Sequence, residues 1–479
     1  MTVSPRPASA VTSWDDEADV VVVGFGAAGA SAAFEAACAG ADTAVLERAG
    51  AAGGAAALSD GFIYLGGGTP EQRAAGFDDS VENMKTFLAA ACGSSPDQAK
   101  VETYCERSLE HREWLLARGV RFLATVLPHA NGTSPVDGEG LMFTGGENAY
   151  PYDELATPAP RGHVVQGGRP GGGVLMQLLS QAALDAGARV AYDTRAERLV
   201  VAADRRVVGV VASRFGEEVT IRARTGVVLT AGGFINSPEL LERHAPAVHA
   251  TALRLGTDGD DGRGIRMAEA VGARLKRMDA IECALPFNAP RSLVHGIIVN
   301  RHGQRFVNED TYMGRVGQTA LIREGGHAYL IVDEEHYAPN WLNIRATWVC
   351  ETAAELEQEI GLPAGSLVGT LAYFNEHAEQ GADPLFHKRA PVLTPLREPL
   401  AAFDLRADKF IYAPFTLGGL DSRVDGAVLD VDGEPIAGLF AAGRTTSGVA
   451  AQGYCSGLSL GDSTLFGRLA GLSAAGAKP

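Results

Sequence analysis

The chain has 479 residues, of which 46% are hydrophobic, so it is long enough to bury a large core in two or three domains. Its 58 acidic and 41 basic residues give a formal net charge of -17, which argues against binding to nucleic acid or to an anionic membrane surface. No apolar stretch reaches the roughly 20 residues of a spanning helix, and the first residues lack a signal-peptide pattern. These features predict a cytoplasmic protein without membrane insertion.

Residues 1–16 are small, polar and proline-containing, and they predict a flexible leader. A buried strand over 20–23, a glycine turn, a helix of small residues over 27–39 and a second strand over 43–46 follow. This order predicts the start of a Rossmann-like α/β domain.

Helical periodicity over 78–118 precedes a Gly/Pro-rich stretch, 124–173, that predicts loops. A helix over 176–186 and a meander of short strands ending near residue 230 come next. Residues 276–415 change to hairpins and helices without a nucleotide signature, including a predicted hairpin over 296–308. The chain then returns to strands over 426–442 and a final helix over 459–475. We therefore predict one domain from 17–275 and 416–479, interrupted by an inserted α+β domain at 276–415.

The turn after the first strand reads Gly24-Phe25-Gly26-Ala27-Ala28-Gly29, and Glu47 ends the next strand. Such glycines let the backbone approach a pyrophosphate at the helix N-terminus, while the carboxylate accepts hydrogen bonds from ribose hydroxyls. The strand–turn–helix context is complete, so the segment predicts a dinucleotide site. Six scattered cysteines show no CxxC pair and no metal-ligand spacing, which predicts reduced thiols and no bound metal.

Three further segments distinguish FAD from NAD: Gly53-Gly54 with the segment 59–68, residues 230–234 (Thr-Ala-Gly-Gly-Phe), and residues 439–443 (Leu-Phe-Ala-Ala-Gly). At these residues the chain resembles the fumarate reductase/3-ketosteroid dehydrogenase flavoprotein family over nearly its whole length. The resemblance implies a glutathione-reductase-type FAD domain built from both ends of the chain, with the inserted domain capping the flavin. It also implies that residues 457–460 open the last helix at the flavin pyrimidine edge. The implied FAD-binding residues are Gly24, Gly26, Ala28, Gly29, Glu47, Arg48, Gly53, Gly54, Ser59, Ala231, Gly232, Gly443, Gly457, Ser459 and Leu460.

No histidine lies between residues 50 and 76, where succinate dehydrogenases attach FAD, so we expect non-covalent FAD. One departure from the family is Arg444, which stands where many relatives have an acidic residue. No second GxGxxG segment provides an NAD(P)H site of the disulfide-reductase type. The electron acceptor therefore stays unidentified, as does the oligomeric state.

Fumarate reductases hold a dicarboxylate with cationic side chains from three places, and this chain lacks all three. Met313 stands at the position of their proton-donating arginine, Phe415 at that of their histidine, and Tyr454 at that of their second substrate arginine. Burying a dicarboxylate without these partners is costly. The substitutions argue against fumarate reduction and predict Met313 and Phe415 as substrate-lining residues.

The hydroxyl groups that remain are similar to those of the 3-ketosteroid Δ4-(5α)-dehydrogenases. That resemblance assigns Tyr454 to the substrate carbonyl, Ser456 to the proton alpha to it, and Tyr312 to assisting the serine. A chemical argument supports the assignment of Tyr454 independently of the resemblance, because a phenol donor stabilises the enolate that forms when an alpha proton is removed. Three structural alternatives remain open: Tyr454 as a core aromatic, Ser456 as a helix N-cap, and Tyr312 as a surface hairpin residue.

The sequence thus predicts an FAD-dependent dehydrogenase that desaturates a cyclic ketone, with a 3-ketosteroid as the leading substrate. A small ketone such as 4-oxocyclohexanecarboxylate, held by an arginine of the capping domain, is a first alternative. A flavin-linked enone or fumarate-type reductase is a second alternative. A flavin-binding protein without catalysis is a third.

Overall fold

The computed structural model describes residues 3–127 and 135–478. The first part of the chain contains two parallel strands joined by a helix, then a group of helices and short strands. In order these elements are β1 (Arg6–Pro7), β2 (Asp16–Val23), α1 (Ala27–Cys38), β3 (Thr43–Leu46), α2 (Gly54–Ala57), β4 (Phe62–Tyr64), α3 (Pro70–Ala74), α4 (Val81–Ala91), α5 (Gln98–Glu106), α6 (Ser108–Ala117), β5 (Val126–Leu127), β6 (Leu141–Met142), α7 (Tyr152–Leu155), β7 (Gly162–Val164) and α8 (Gly171–Asp185).

The second part begins with the meander and ends with the longest helix of the described chain. Its elements are β8 (Arg189–Ala191), β9 (Thr194–Val201), β10 (Val207–Arg214), β11 (Glu217–Leu229), α9 (Pro238–His244), α10 (Arg263–Glu269), β12 (Leu275–Lys276), β13 (Ile281–Ala284), β14 (Ile297–Val299), α11 (Met313–Gln318), β15 (Tyr329–Asp333), β16 (Trp348–Cys350), α12 (Ala353–Ile360), α13 (Ser366–Ala378), β17 (Leu400–Asp404), β18 (Ala413–Thr416), β19 (Gly419–Leu420), β20 (Ala427–Leu429), β21 (Pro435–Ala441) and α14 (Leu458–Ala474).

The main sheet joins strands from both ends of the chain. Its order is β1-β9-β10-β11-β2-β3-β8, and β21 also pairs with β11. The pairs β11–β2, β2–β3 and β3–β8 are parallel, whereas β9, β10 and β11 form an antiparallel meander. Residues 20–23 are buried, as their apolar run predicts for a central strand covered on both faces. The turn after β2 therefore lies at the carboxyl edge of the parallel strands, beside the end of β21.

The N-terminal segment differs from the expected flexible leader. Arg6 and Pro7 pair with Val200 and Val201 of β9, and the backbone N–H of Asp15 donates to Thr220 O at 2.9 Å. The meander leaves the edge of β9 with unpaired backbone groups, and the leader occupies that edge. Sequence composition favoured a loose segment because it contains no signal for this long-range pairing.

The Gly/Pro-rich stretch 124–173 is also more regular than predicted. Strands β5, β6 and β7 join β4 in a small sheet of order β4-β7-β6-β5, although residues 128–134 lie outside the described part of the chain. The predicted hairpin over 296–308 forms its turn, in which the Asn300 N–H donates to Gln304 O at 2.9 Å, but its strand pairing is limited to one bridge between Val299 and Arg305. The other edge of β14 pairs with β15. In the Gly/Pro-rich stretch, strand pairing between separate segments thus adds regular structure that the local turn signals do not predict.

Residues 276–415 contain a separate four-stranded sheet of order β14-β15-β17-β16. Helices α12 and α13 cover it, and a cluster of apolar side chains from the sheet and both helices is buried between them. The antiparallel pair β13–β18 lies where this region joins the rest of the molecule. Within residues 3–127 and 135–478, no helix has both the length and the apolar character needed to cross a membrane.

Candidate active site

A cavity of about 920 Å³ is lined by the glycine turn after β2 and also by Tyr312, Tyr454 and Ser456. This volume lies within the usual range of ligand and cofactor pockets. The cavity thus brings together the two segments that sequence analysis connects with a cofactor and with a reaction. We call these the nucleotide end and the hydroxyl end.

The nucleotide end is formed largely by backbone. Gly24 adopts a φ of +98°, and a Cβ there would lie 2.6 Å from the Thr230 carbonyl oxygen, so the turn requires glycine. Gly26 is the N-cap of α1, whose first N–H groups receive no side-chain cap. Uncapped N–H groups at a helix N-terminus bind phosphate readily. The turn therefore offers the donors that a pyrophosphate needs.

Glu47 lies at the end of β3, where its carboxylate is held by two backbone donors. The N–H groups of Phe25 and Ala49 donate to its two oxygens at 2.7 and 2.8 Å. The residue is buried and lines the cavity. Its neighbour Arg48 also lines the cavity and donates to Asp258 O at 3.0 Å. This geometry fixes a carboxylate at the place where ribose hydroxyls are recognised in dinucleotide sites.

Most of the residues predicted to bind the cofactor line this cavity. They are Gly24, Gly26, Ala28, Glu47, Arg48, Gly54, Ser59, Ala231, Gly232, Gly443, Gly457, Ser459 and Leu460. Gly29 and Gly53 are outside this set and act on the backbone instead. A Cβ at Gly29 would overlap the Gly24 carbonyl, and Gly53 N–H donates to Phe25 O at 3.0 Å with a φ of +141°. Both glycines therefore support the backbone conformation of the turn without lining the cavity themselves.

The hydroxyl end is assembled from two distant segments. Tyr312 immediately precedes α11, while Tyr454 and Ser456 lie in the loop before α14. The Tyr312 and Ser456 hydroxyl oxygens are 2.9 Å apart. The Tyr454 hydroxyl accepts a hydrogen bond from the Ser459 N–H at 3.2 Å, which leaves its own proton free to donate. Three hydroxyl groups therefore meet in one cavity.

Two apolar side chains complete this end. Met313 and Phe415 both line the cavity. The Phe415 ring packs edge-on against the Tyr454 ring, with 5.2 Å between centroids and 88° between the planes. An edge-to-face pair of this kind adds stability beyond its buried area and orients both rings. The Tyr454 hydroxyl is thereby held at a fixed position beside an apolar surface.

The structure distinguishes the structural alternatives for the three hydroxyl residues. Gly457, not Ser456, is the N-cap of α14, and that N-terminus has no side-chain cap. Tyr312 is only 4% exposed, so it is not a surface residue. Tyr454 is buried as a core aromatic would be, yet it also lines the cavity. Burial raises the pKa of both tyrosines above the ordinary value, so both are neutral phenols at physiological pH.

A carboxylate that sequence analysis missed completes the hydroxyl end. The Tyr312 hydroxyl donates to Glu282 Oε1 at 2.7 Å, and Glu282 lines the cavity from β13. Burial raises the pKa of Glu282 to about 7. The available signal was a single glutamate in the otherwise apolar strand Ile281–Ala284, where a charged residue is rarely buried without a partner.

Arg444, the departure from the family pattern, has an internal partner. Its Nη2 donates to Asp260 Oδ1 at 2.8 Å, and the same carboxylate oxygen accepts from Gly233 N–H at 2.9 Å. Both side chains line the cavity. Asp260 thus balances the cationic charge of Arg444. In the described ranges, no group of three or more His, Cys, Asp or Glu side chains is arranged to hold a metal ion.

Comparison with known proteins identifies the class to which this fold and site belong. Residues 19–459 match the model of the FAD binding domain family, so the chain belongs to that family. FAD is accordingly its cofactor and the protein is an FAD-dependent oxidoreductase, as predicted from the glycine segments. The uncapped helix N-terminus, the glycine turn and the fixed Glu47 carboxylate fit this cofactor.

Among the relatives, the crystal structure of 3-ketosteroid-delta4-(5alpha)-dehydrogenase from Rhodococcus jostii RHA1, in complex with 4-androstene-3,17-dione, is 50% identical. It has a TM-score of 0.94, and the match covers 99% of this chain and 100% of that chain. The 3-oxo-5-alpha-steroid 4-dehydrogenase of Comamonas testosteroni is 28% identical over 90% of this chain and 93% of the relative. The 4-oxocyclohexanecarboxylate 2-dehydrogenase of Sinomonas cyclohexanicum is 29% identical over 96% of this chain and 93% of the relative.

Proposed function

We propose that this protein is an FAD-dependent dehydrogenase that introduces a double bond between the alpha and beta carbons of a cyclic ketone. The substrate is a 5α-3-ketosteroid, desaturated between C4 and C5. The meeting of the Tyr312, Tyr454 and Ser456 hydroxyls beside Met313 and Phe415 carries this proposal. The 50% identity to a 3-ketosteroid dehydrogenase over nearly the whole chain supports the substrate class.

Each hydroxyl has a separate role in the proposed reaction. The Tyr454 phenol donates a hydrogen bond to the substrate carbonyl oxygen and stabilises the negative charge that develops there. Ser456 accepts the proton from the alpha carbon, and Tyr312 accepts the serine proton across the 2.9 Å contact. FAD, which we infer to be bound non-covalently, supplies the acceptor for the hydride that leaves the beta carbon.

The residues that line the cavity come from both proposed domains, which supports the inferred domain arrangement. Residues 17–275 and 416–479 form the Rossmann-like FAD domain in this proposal, and residues 276–415 cap the flavin. The capping region contributes Glu282, Ala284, Tyr312, Met313 and Phe415 to the cavity, and the FAD domain contributes the remaining lining residues. In this proposal the reaction takes place at the junction of the two regions.

The lining residues also favour a steroid over the smaller ketone. In the parts of the chain that the structure describes, no arginine or lysine of residues 276–415 lines the cavity. The carboxylate of 4-oxocyclohexanecarboxylate would therefore lack the capping-domain cation that this alternative requires. Fumarate would meet apolar or phenolic side chains at Met313, Phe415 and Tyr454 instead of cations at these three positions, which disfavours burial of its charges there.

The experiment is an anaerobic titration of the FAD-loaded protein, followed by visible absorption. A 5α-3-ketosteroid is expected to bleach the oxidised flavin band with one equivalent. Bleaching by 4-oxocyclohexanecarboxylate alone would retain the chemistry and replace the substrate class. Absence of bleaching by either ketone would contradict the proposal. In that event, reoxidation of the chemically reduced enzyme by the corresponding enone separates a reductase from a flavin-binding protein without catalysis.

A further inference from the structure

Glu282 lies at the end of a continuous line of hydrogen-bonding groups. The Ser456 and Tyr312 hydroxyl oxygens are 2.9 Å apart, and the Tyr312 hydroxyl donates to Glu282 Oε1 at 2.7 Å. Because Tyr312 donates its own proton to Glu282, its oxygen is free to accept from Ser456. Both hydrogen bonds therefore have the same donor-to-acceptor direction, from the Ser456 hydroxyl to the Tyr312 hydroxyl and from the Tyr312 hydroxyl to the Glu282 carboxylate.

The surrounding residues leave room for this carboxylate and do not neutralise it. A Cβ at Gly314 of α11 would overlap Glu282 Oε1, so the close approach of helix and carboxylate depends on this glycine. Within the described ranges, no arginine, lysine or histidine nitrogen lies within 4.0 Å of the carboxylate. The nearest cationic influence comes from Arg315, whose Nη2 donates to Gly145 O at 3.1 Å instead. The other titratable groups that interact with Glu282 are Tyr312, Tyr454, Cys455 and the neighbouring Cys283.

Glu282 is therefore a buried carboxylate whose bonded side-chain partner is a phenol. Only 2% of the residue is exposed, and its position on β13 is directly opposite Phe415 on β18. An unpaired buried charge is costly, so this environment disfavours the ionised form of Glu282. A carboxyl group that must change its protonation state in each catalytic cycle is better served by a neutral partner.

We propose that Glu282 is the terminal proton acceptor of the Ser456–Tyr312 relay. This inference rests on the proposed function. The alpha carbon gives its proton to Ser456 Oγ, the serine proton passes to the Tyr312 oxygen, and the Tyr312 proton passes to Glu282, which becomes a neutral carboxylic acid. The electron pair of the broken alpha C–H bond forms the double bond. The beta hydrogen leaves as hydride to FAD, so the ketone loses two electrons and FAD gains two.

The protonation equilibrium of Glu282 suits this role. Burial raises its pKa to about 7, and an acid–base group with a pKa near the working pH is most effective at neutral pH. The relay requires the ionised carboxylate at the start of each turnover. The rate should therefore fall as the pH decreases through the pKa of this group and reach a plateau above it. Acting through Tyr312 and Ser456, Glu282 is a positioning residue and contacts no reacting atom.

The molecule contains a matched control. Glu147 is also buried, and it also accepts a hydrogen bond from a buried tyrosine, from the Tyr64 hydroxyl to Glu147 Oε1 at 2.8 Å. Burial raises the pKa of Glu147 as well. Its carboxylate is tied to the Gly145 N–H at 2.9 Å, and it does not line the cavity. The two glutamates thus share burial and a phenol partner but differ in their connection to Ser456.

The test compares FAD-loaded wild type, Glu282→Gln, Glu282→Asp and Glu147→Gln in anaerobic rapid-mixing experiments with a 5α-3-ketosteroid. The rate of flavin reduction is measured across the pH range. For the wild type we expect a fall of about tenfold per pH unit below the pKa of Glu282. Glu282→Gln should be about 100-fold slower and lose this dependence. Glu282→Asp should be slowed but keep the dependence, and Glu147→Gln should resemble the wild type in both respects.

A second measurement follows the carboxyl group itself and does not depend on turnover. Infrared difference spectra of the substrate-free enzyme should show a carboxylic-acid carbonyl band that disappears with a midpoint near pH 7. The band should be absent from Glu282→Gln and present in Glu147→Gln. Because the titration of the band can be followed in the wild type alone, this part of the test does not depend on the folding of any variant.

A Glu282→Gln protein that reduces its flavin at the wild-type rate, with an unchanged pH profile, would overturn the relay and leave the proposed function intact. A wild-type infrared band that does not titrate near neutral pH would also overturn it. By contrast, a wild-type enzyme that no 3-ketosteroid bleaches would overturn the proposed function, whatever the infrared spectra show. The two failures are therefore distinguishable.

Discussion

The two ends of the cavity are built in different ways. At the nucleotide end, the glycine turn, Glu47 and Gly54 come from one stretch of fewer than 40 residues, and backbone groups form much of the surface. At the hydroxyl end, Tyr312 and Ser456 are 144 residues apart, and side chains form the contacts. The turn and the carboxylate of the nucleotide end are thus set by one local stretch of the chain, although Ala231, Gly232 and Gly443 complete the cofactor site from a distance, whereas the proposed reaction depends on long-range packing of side chains. The two functions should consequently be separable by mutation.

The sharpest separation is expected from Tyr454→Phe. The substitution removes the hydroxyl that we propose as donor to the substrate carbonyl but keeps the ring that packs against Phe415. Loss of one oxyanion donor typically reduces turnover by about 100- to 1,000-fold, and we expect a decrease of at least that size. The measurement is the rate of flavin reduction by a 5α-3-ketosteroid, with FAD content determined from the visible spectrum.

Two outcomes would contradict this separation of the cavity ends. Retention of most of the activity in Tyr454→Phe would remove Tyr454 from the reaction. Loss of FAD from this variant would show that the hydroxyl end also holds the cofactor. Tyr373→Phe is a suitable control, because that tyrosine is 40% exposed on α13 and does not line the cavity.

The converse change is Glu47→Gln at the nucleotide end. The amide keeps one acceptor oxygen but directs its NH₂ group toward a backbone N–H of Phe25 or Ala49. Hydrogen bonds to a charged group contribute about 1.5–3 kcal/mol, so FAD affinity should fall roughly tenfold to a hundredfold. FAD binding is measured by fluorescence titration of the apoprotein. At saturating FAD the rate of flavin reduction should remain near the wild-type value.

Glu17→Gln provides the matched control for this variant. Glu17 lies on β2, the strand that precedes the glycine turn, but its side chain is exposed. It should leave FAD affinity unchanged. Equal affinities for Glu47→Gln and the wild type would exclude Glu47 from cofactor binding.

The smallest expected effect concerns stability rather than rate. Burial raises the pKa of Glu282 from 4.5 to about 7, so the native state resists ionisation. Below pH 4.5 the group is protonated in both states and contributes no difference in the free energy of unfolding. As the pH rises to 7, the Glu282 carboxyl ionises first in the unfolded state. The free energy of unfolding therefore decreases by up to about 3 kcal/mol. Above pH 7 this loss stays constant.

Glu282→Gln removes the ionisable group and should therefore stabilise the protein at pH 8 relative to pH 5. The measurement is the difference in thermal unfolding midpoint between variant and wild type at these two pH values. Glu147→Gln should change in the same direction, since burial also raises the pKa of Glu147. The two glutamates would then share the stability effect while differing in the pH dependence of the rate. Equal midpoint differences at pH 5 and pH 8 would contradict the raised pKa of Glu282.

Local sequence patterns predicted several elements closely. Strand β3 occupies the predicted residues 43–46, α1 ends one residue before the predicted end, and α14 begins one residue before the predicted start. Each is strongly apolar or rich in small residues and is bounded by glycine or a loop. Strand β1 was not predicted, because its formation depends on the unpaired edge of β9 almost 200 residues away.

Residue types and spacing determined the parts of this protein that depend on backbone conformation. Gly24, Gly26 and Glu47 follow a strand and open a helix, and that local context is sufficient to indicate a dinucleotide site. Resemblance at short segments added FAD and the three hydroxyl residues. These inferences rest on residues that lie near one another in sequence or match a known motif.

Only the tertiary structure decided which side chains meet. It joins β13, the start of α11 and the loop before α14, and so brings Glu282, Tyr312 and Ser456 into one hydrogen-bonded line. No pattern around residue 282 specifies a phenol 30 residues later in the chain as its partner. Such a contact depends on the packing of separate elements, whose register and approach are fixed by the whole core rather than by local sequence.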